Sequence, residues 1–297
     1  MDTYFHDIRK LTIISLFSDD ELMDILVLKG GNALEIAYDL NSRASMDIDV
    51  SMSKDFEDFG LTVKEVEEKI TNALNTTFNE KGYHVFDIKL SERPKRKRIV
   101  DDLNWGGYLI EFKVTTNEKY KRIGSNLEQL RRESIPILGD KKIVEIDISK
   151  YEFVAPRIEK EFYDYIIKVY TPRMIIFEKL RAICQQMPKY NPGIQTNKSP
   201  RARDFYDIYI VKKELEPNLD LSSDENFDMI KEFFNVKKVP LELLDNIKEK
   251  SVYEYHLDDY ANLRDNVKDS NIKEFKFYYD YTVNLTKDLI PIINQTL

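Results

Sequence analysis

Two glycines and two aspartates, separated by one helix, constrain the fold of this chain more than any other feature of its sequence. Gly30 and Gly31 open a segment whose apolar residues recur at helical spacing. Residues 46–52 then alternate apolar residues with Asp47 and Asp49, which predicts a β-strand. Because alternate residues of a strand point to the same side, both aspartates are expected on one face.

The glycine pair and the aspartate pair suit a site for a phosphorylated nucleotide. Glycines let a backbone approach phosphate oxygens, and the free N–H groups at a helix N-terminus bind anions, so Lys29, Gly30 and Gly31 are expected to receive a triphosphate. Asp47 and Asp49 can share Mg²⁺ or Mn²⁺, which oxygen ligands favour. An isolated Asp-x-Asp is more simply an exposed acidic strand face. The glycine pair one helix upstream favours the metal site instead.

The length and composition predict a globular protein of two domains. The chain has 297 residues, 42% of them hydrophobic and 12% aromatic, and single cores stop growing near this length. No apolar stretch approaches the roughly 20 residues that span a bilayer, so no membrane segment is expected. The N-terminal residues lack the apolar region of a secretory signal, and the cytoplasm is therefore the expected compartment.

The net charge of −8 is distributed unevenly along the chain. Residues 214–297 contain 18 acidic and 10 basic residues, whereas residues 168–213 contain 10 basic and three acidic ones. A local positive field can coexist with an acidic total. The net charge therefore does not exclude a nucleic-acid partner, whose phosphates bind Lys and Arg.

The order of predicted elements indicates the α/β (α+β) class, with a mixed sheet and flanking helices followed by a C-terminal helical domain. After Pro156 the pattern becomes helical, which places a boundary near residue 155 and gives predicted domains of residues 1–155 and 156–297. Strands are predicted over residues 46–52, 84–90, 108–115 and 142–149, and helices over residues 19–28, 31–40, 63–78, 173–186 and 203–212.

Two separate motifs of the sequence resemble a known enzyme family. The first is LKGGNALEIAYDLNSRASMDIDVSM, at residues 28–52. The second is EKLRAICQQ, at residues 178–186, followed after a loop by RARDFYDIYIV. Together they are similar to the motifs of the AbiEii/AbiGii nucleotidyltransferases, the toxin components of type IV toxin–antitoxin systems. The resemblance covers roughly residues 20–212, and two motifs in the same order are far more specific than either alone.

This resemblance implies a nucleotidyltransferase-like fold and roles for individual residues. It implies phosphate binding at the glycine pair, metal binding at the aspartate pair, a phosphate-contacting cation at Lys179 and a further acid at Asp204. A surface lysine is the alternative for Lys179, although an ammonium near a triphosphate would offset charge on the leaving pyrophosphate. Asp204 and Asp207 share one helical face, where Asp204 could equally bind a nearby arginine.

Folds of this type usually add a third carboxylate from a neighbouring strand. In residues 144–148 the apolar residues face one way and Asp147 the other, whereas Glu111 lies between two apolar residues of another strand. Asp147 is the favoured third metal ligand, and Glu111 is the reserve.

Several basic or polar residues near these motifs could contact the nucleotide or an acceptor. Arg43 and Ser45 flank the aspartates and could bind phosphate, although Arg43 could equally neutralise nearby acids. Arg173 begins the helix that carries Lys179, with Thr171 as the expected N-cap and Pro172 at the first helical position. The basic run at residues 95–98 is either an exposed hairpin tip or a contact with an RNA backbone.

The resemblance implies transfer of a nucleoside monophosphate from a nucleoside triphosphate to an acceptor, with release of pyrophosphate. It suggests an RNA acceptor such as the 3′ end of tRNA, and a cognate antitoxin as a protein partner. Two alternatives are nucleotidyl transfer to a small molecule, and an inactive protein that binds a nucleotide or a partner. The base preference and the oligomeric state do not follow from the sequence.

Overall fold

The computed structural model of the chain is built around one sheet, and it describes residues 3–40, 47–94, 105–137, 139–191, 198–267 and 272–296. The strands are β1 (Val27–Leu28), β2 (Ile48–Ser51), β3 (Tyr83–Arg93), β4 (Gly107–Thr116), β5 (Val144–Ser149), β6 (Ile158–Phe162) and β7 (Tyr165–Val169). Their order across the sheet is β3-β4-β5-β2-β1-β7-β6. The pairs β2/β5 and β1/β7 are parallel and the others are antiparallel. The predicted mixed sheet is therefore confirmed.

Helices flank this sheet and make up the described chain after β7. They are α1 (Thr3–Phe17), α2 (Asp20–Ile25), α3 (Gly30–Tyr38), α4 (Val63–Glu80), α5 (Asn117–Ile123), α6 (Leu127–Glu133), α7 (Pro172–Gln185), α8 (Ala202–Glu214), α9 (Asp224–Asn235), α10 (Leu243–Asn246), α11 (Lys250–Leu257), α12 (Tyr260–Asn266), α13 (Phe275–Thr286) and α14 (Leu289–Thr296). A short 3₁₀ helix covers Phe56–Phe59. No helix in the described part of the chain has the length and apolar character that a membrane crossing needs.

Strand β2 lies in the middle of the sheet. Its alternating sequence suits a strand that is buried on one face. Ile48 and Val50 are fully buried in the core, while Asp49 is only partly buried and faces the other way. Its neighbour β5 repeats the pattern, with Val144, Ile146 and Ile148 buried. The apolar side chains on one face of β2 and β5 therefore pack in the core, and the other face presents carboxylates.

Helix α7 attaches the C-terminal helices to the sheet. It begins as predicted, with the Thr171 hydroxyl accepting the N–H of Met174 at 3.3 Å and Pro172 at the first position. Almost all of its length is buried. It packs against α8 and α9, and α8 packs in turn against α13 through edge-to-face rings such as Phe205 and Phe275.

The structure corrects the predicted elements in three places. The helix predicted to reach Leu28 ends at Ile25, because Val27 and Leu28 pair with strands on both sides as β1. The helical pattern expected directly after Pro156 is wrong, since β6 and β7 follow and extend the sheet. Helix α1 was not predicted, although it is buried against α4.

The division at residue 155 stays a prediction, and the position of β7 bears on it. This strand lies after residue 155, yet Val169 pairs with Leu28 of β1 near the centre of the sheet. The sheet therefore continues past the predicted boundary, and the wholly helical part of the described chain begins only at Pro172.

Candidate active site

The turn between β1 and α3 lies directly against the end of β2. The N–H of Lys29 donates to the carbonyl oxygen of Asp49 at 3.0 Å. Gly30 follows with φ of +66°, a left-handed conformation that glycine adopts without strain. A Cβ at Gly30 would lie only 3.0 Å from Asp49 Oδ2. Glycine is therefore required here both for the turn and for room beside the carboxylate.

The first turn of α3 is available to an anion. Lys29 stands at its N-cap and provides no side-chain hydrogen bond to the helix. The first N–H groups of a helix have no intrahelical acceptor, and they carry the positive end of the helix dipole. Gly30 and Gly31 both line the adjacent cavity. The structure thus brings the predicted phosphate-binding turn and Asp49 together.

Asp47, Asp49 and Asp147 are three of the carboxylates that line a cavity of about 880 Å³ between the sheet and the C-terminal helices. Asp49 and Asp147 are opposite each other in the parallel pairing of β2 with β5. Asp47 lies two residues before Asp49 on the same side, and its carboxylate is more exposed. Two cations stand at the edge of this group: Arg93, 3.8 Å from Asp147, and Lys141, 3.7 Å from Asp47.

The surroundings of the carboxylates disfavour their negative charge. Burial raises the pKa of Asp49 to about 6, and the nearby charge of Asp147 adds to the shift although Lys29 opposes it. Burial also raises the pKa of Asp147, with Lys29 and Arg93 opposing. The cost of burying these negative charges therefore exceeds what the neighbouring cations offset. A bound cation would favour the charged forms of both carboxylates.

A divalent metal fits these residues only as a partly protein-bound ion. In the described residues, no three or more His, Cys, Asp or Glu side chains are grouped closely enough to enclose a metal. Mg²⁺ is typically held by one or two carboxylates together with substrate phosphates and water. Asp49 and Asp147, side by side near the glycine turn, match that kind of donor set.

A family model described as nucleotidyl transferase AbiEii toxin, type IV TA system, matches residues 13–281 of this sequence. The chain belongs to this family. It is a nucleotidyltransferase, as its motifs predicted. No curated protein matches the chain.

Solved structures from two bacteria are similar to this AbiEii-family chain at low sequence identity. JHP933 from Helicobacter pylori is 17% identical with a TM-score of 0.48, and the match covers 100% of this chain and 96% of that one. MenT4, a nucleotidyltransferase toxin from Mycobacterium tuberculosis H37Rv, is 11% identical with a TM-score of 0.48, and the match covers 95% of this chain and 82% of that one.

In this AbiEii-family enzyme, Lys29 is part of a buried ion-pair network below the carboxylates. Its ammonium lies 2.9 Å from Glu178 of α7 and 3.1 Å from the hydroxyl of Ser149 of β5. Burial opposes its charge, but Glu178, Glu152 and Asp49 outweigh burial and raise the pKa of Lys29. The ammonium is therefore a permanent positive charge at the base of the cavity.

The same network continues through α7 to the loop after α9. Arg181 donates to Glu152 at 2.8 Å and to the carbonyl oxygen of Phe233 at 3.2 Å. Lys237 lies 3.3 Å from the other oxygen of Glu152. Burial lowers the pKa of Lys237 to about 8, although Glu152 opposes that shift. Breaking one partner of such a buried pair leaves an uncompensated charge, which is strongly destabilising.

Lys179 and Asp204 line the cavity, but they also bind each other. The Lys179 ammonium lies 2.9 Å from Asp204 and 2.7 Å from Asp207, so both acids of α8 face α7 as their spacing predicted. Lys179 is buried, so the alternative of a surface lysine is wrong. Asp204 also accepts from Arg201 at 3.1 Å. Burial works against ionisation of Asp204, yet these cations hold its pKa well below the usual range.

Some of the predicted site residues lie elsewhere. Arg173 does not line the cavity; its guanidinium lies 3.4 Å from both Glu216 and Glu225, so the structure gives no support to its predicted nucleotide contact. Glu111 of β4 is opposite Glu145 and also lies outside the cavity lining. Arg43, Ser45 and the basic run at residues 95–98 fall outside the described residues.

Other residues of the cavity were missed by sequence reasoning. Glu178 and Arg181 lie within the second motif, close to Lys179. Their position in the motif could have identified them as residues of the cavity. Arg203 lies beside Asp204 in the same motif, is exposed, and lines the cavity. Glu152 and Trp105 lie in irregular segments with no motif around them, and only the fold brings them to this place.

Replacing Asp49 with Asn is expected to stabilise this enzyme at neutral and alkaline pH. A carboxyl whose pKa is raised on folding contributes stability that is complete below its unfolded pKa and is lost as pH rises through about 6. The neutral amide avoids that loss, which is on the order of 1–3 kcal/mol. Thermal unfolding of both proteins at pH 5 and pH 8 should show a higher Tm for Asp49→Asn, with the larger gain at pH 8. An unchanged or lower Tm at pH 8 would contradict this account of Asp49.

Proposed function

We propose that this nucleotidyltransferase transfers a nucleoside monophosphate from an NTP to a hydroxyl at the 3′ end of an RNA, with tRNA as the first candidate. The observation that carries the proposal is the contact of the Gly30 turn with Asp49, beside Asp147, within one cavity. The family description supports the toxin role. It also implies a cognate antitoxin, and the cytoplasm is the compartment proposed for both.

The reaction requires the two substrates to meet at the carboxylates. The acceptor oxygen forms a bond to the α-phosphorus as the bond from that phosphorus to the bridging oxygen of pyrophosphate breaks, and the hydroxyl proton is released. Asp49 and Asp147 would hold Mg²⁺ or Mn²⁺ together with substrate phosphates and water, and the more exposed Asp47 would add negative charge beside the ion. The bound metal supplies positive charge that offsets charge developing on the phosphates.

The residues of the chain supply the remaining positioning. The first N–H groups of α3, at Gly30 and Gly31, would bind the triphosphate. The Lys29 ammonium below this turn is held by Glu178 and adds positive charge near the phosphates. Lys179 of α7 is held by Asp204 and Asp207, and from there it would act on the leaving pyrophosphate.

The wall formed by α8 and α12 suits an RNA acceptor. Arg201 and Arg203 of the α8 end line the cavity together with Asn262 and Asn266 of α12. Arg203 is exposed and makes no ion pair with a described residue, whereas Arg201 binds Asp204. Guanidinium groups bind phosphate in a bidentate fashion, and amides can contact base edges or sugars. The arginine and asparagine side chains of α8 and α12 support an RNA acceptor whether or not the turn at Gly30 binds phosphate.

Label transfer from each NTP, labelled at the α-phosphate, tests the reaction. Purified protein with Mg²⁺ and total tRNA should produce labelled tRNA, and Asp49→Asn should lower the rate at least about 100-fold, since charge-stabilising groups at such a centre contribute effects of that size. Asp228→Asn is the matched control, because Asp228 is an exposed acid of α9 outside the cavity. Transfer to a small-molecule acceptor without RNA would reject the RNA proposal, and pyrophosphate release unaffected by Asp49→Asn would reject the site.

Replacing Arg203 with Ala is expected to raise the KM for RNA while leaving the KM for NTP nearly unchanged. A single lost phosphate contact should also reduce the dependence of RNA binding on salt by about one unit of log–log slope. Arg132→Ala is the matched control, because Arg132 is an exposed arginine of α6 that pairs with Glu128 away from the cavity. If Arg203→Ala and Arg132→Ala both bind RNA with wild-type affinity across a salt series, the side of the cavity formed by α8 does not bind the acceptor.

A further inference from the structure

Trp105 is the single tryptophan of the chain, and it lies in the wall of the cavity. It lies two residues before the start of β4 and is partly buried. Its indole ring has no ring contact and no hydrogen bond with another described residue. A large aromatic surface at the edge of a polar cavity, without a partner inside the described chain, suits a ligand with a flat ring.

The backbone after Trp105 is fixed tightly to β5. Gly107 is opposite Ser149, and a Cβ at this glycine would lie 1.9 Å from the carbonyl oxygen of Ile148, so no other residue fits. Gly106, with φ of +121°, accepts the N–H of Lys150 at 3.0 Å. These contacts hold the start of β4 at the end of the strand that carries Asp147. The indole is therefore attached to a rigid part of the sheet.

The separation of Trp105 from the carboxylates is within the reach of a nucleotide. Asp147 is opposite Leu109 in the pairing of β5 with β4. Four residues of extended chain separate Leu109 from Trp105, which is at most about 14 Å. A nucleotide whose phosphates lie at Asp49 and Asp147 would extend its sugar and base along this same wall.

Arg93 lies between these two ends of the wall. It is opposite Gly107 in the pairing of β3 with β4, and its guanidinium reaches to 3.8 Å from Asp147. Its side chain is about half exposed and so is accessible to a ligand. The wall thus presents, in order, carboxylates for a metal, a cation for phosphate or sugar oxygens, and an aromatic ring.

The geometry points to Trp105 as the residue that stacks on the base of the incoming NTP. This inference rests on the proposed function, because it takes the phosphates to lie at the glycine turn. Stacking on an aromatic side chain contributes affinity for any base, since every base has a π-face. Trp105 therefore strengthens NTP binding without itself selecting one base.

Tryptophan fluorescence measures this contact directly, because all tryptophan emission of the protein comes from Trp105. An NTP added with Mg²⁺, in the absence of an acceptor, should quench or shift the emission in a saturable way. Inorganic tripolyphosphate with Mg²⁺ has no base and should leave the emission nearly unchanged at concentrations that compete with the NTP. Equal changes with both ligands, or no change with saturating NTP, would overturn the assignment.

Substitutions at Trp105 give the second readout. Trp105→Leu keeps an apolar side chain but has no ring, and it should raise the KM for NTP by roughly 5- to 100-fold with a smaller effect on kcat. Trp105→Phe keeps an aromatic face and should recover most of the affinity. Phe59→Leu is the matched control, because Phe59 is an exposed aromatic residue that does not line the cavity.

The two readouts separate this inference from the proposed reaction. If the wild type transfers label and Trp105→Leu has the same KM for NTP as the wild type, the stacking role is overturned. The nucleotidyltransferase proposal is then left intact. NTP-specific quenching without label transfer to RNA would support the stacking role and reject the RNA acceptor. If Trp105→Leu raises the KM for RNA but not the KM for NTP, the ring stacks on a base of the acceptor. That result would overturn the inference as stated.

Discussion

The approach of Gly30 to Asp49 is the contact on which the geometry of the cavity depends. Strand β1 is only two residues long, and its pairing with β2 brings the N–H of Lys29 to the carbonyl of Asp49. The chain must then turn sharply into α3, which requires a left-handed residue with no side chain. The start of α3 and the Asp49 carboxylate, which are the proposed sites for phosphate and metal, are adjacent as a consequence of that one turn.

The carboxylates beside this turn are kept at a cost in stability, and the cost is consistent with a catalytic role. Asp49 is buried near other negative charges, which raises its pKa to about 6. Such shifts are common where a site is arranged for a ligand and not for the stability of the empty protein. The buried network of Lys29, Glu178, Arg181 and Glu152 offsets part of that charge and attaches α7 to the sheet.

The sequence predicted the parts of the site that are local and missed those that depend on long-range pairing. The glycine turn, the aspartate pair at the start of β2 and the cap of α7 follow from spacing over a few residues, so they could be read directly. The side-by-side arrangement of Asp49 and Asp147 was favoured by strand alternation, but it needed the β2/β5 register.

The errors of prediction share one physical cause. Val27 and Leu28 continue a helical pattern and become a strand because two partners are available to them. Strands β6 and β7 were also missed: β6 lies on an edge of the sheet and mixes charged and apolar residues, and β7 is a short strand that pairs with β6 and β1. Tertiary pairing overrides local preference in both cases. The alternative of a surface lysine at position 179 was wrong because the fold buries this side chain between two aspartates of α8.

Calorimetric titration of the protein with a non-transferable NTP analogue is the most direct test of a single site for triphosphate and metal. Binding should require Mg²⁺ and should be lost in Gly30→Ala, because the added methyl group would lie against the Asp49 carboxylate. Asp147→Asn should weaken binding in Mg²⁺. Equal affinity with Mg²⁺ and with a metal chelator, or normal binding by Gly30→Ala, would contradict the account.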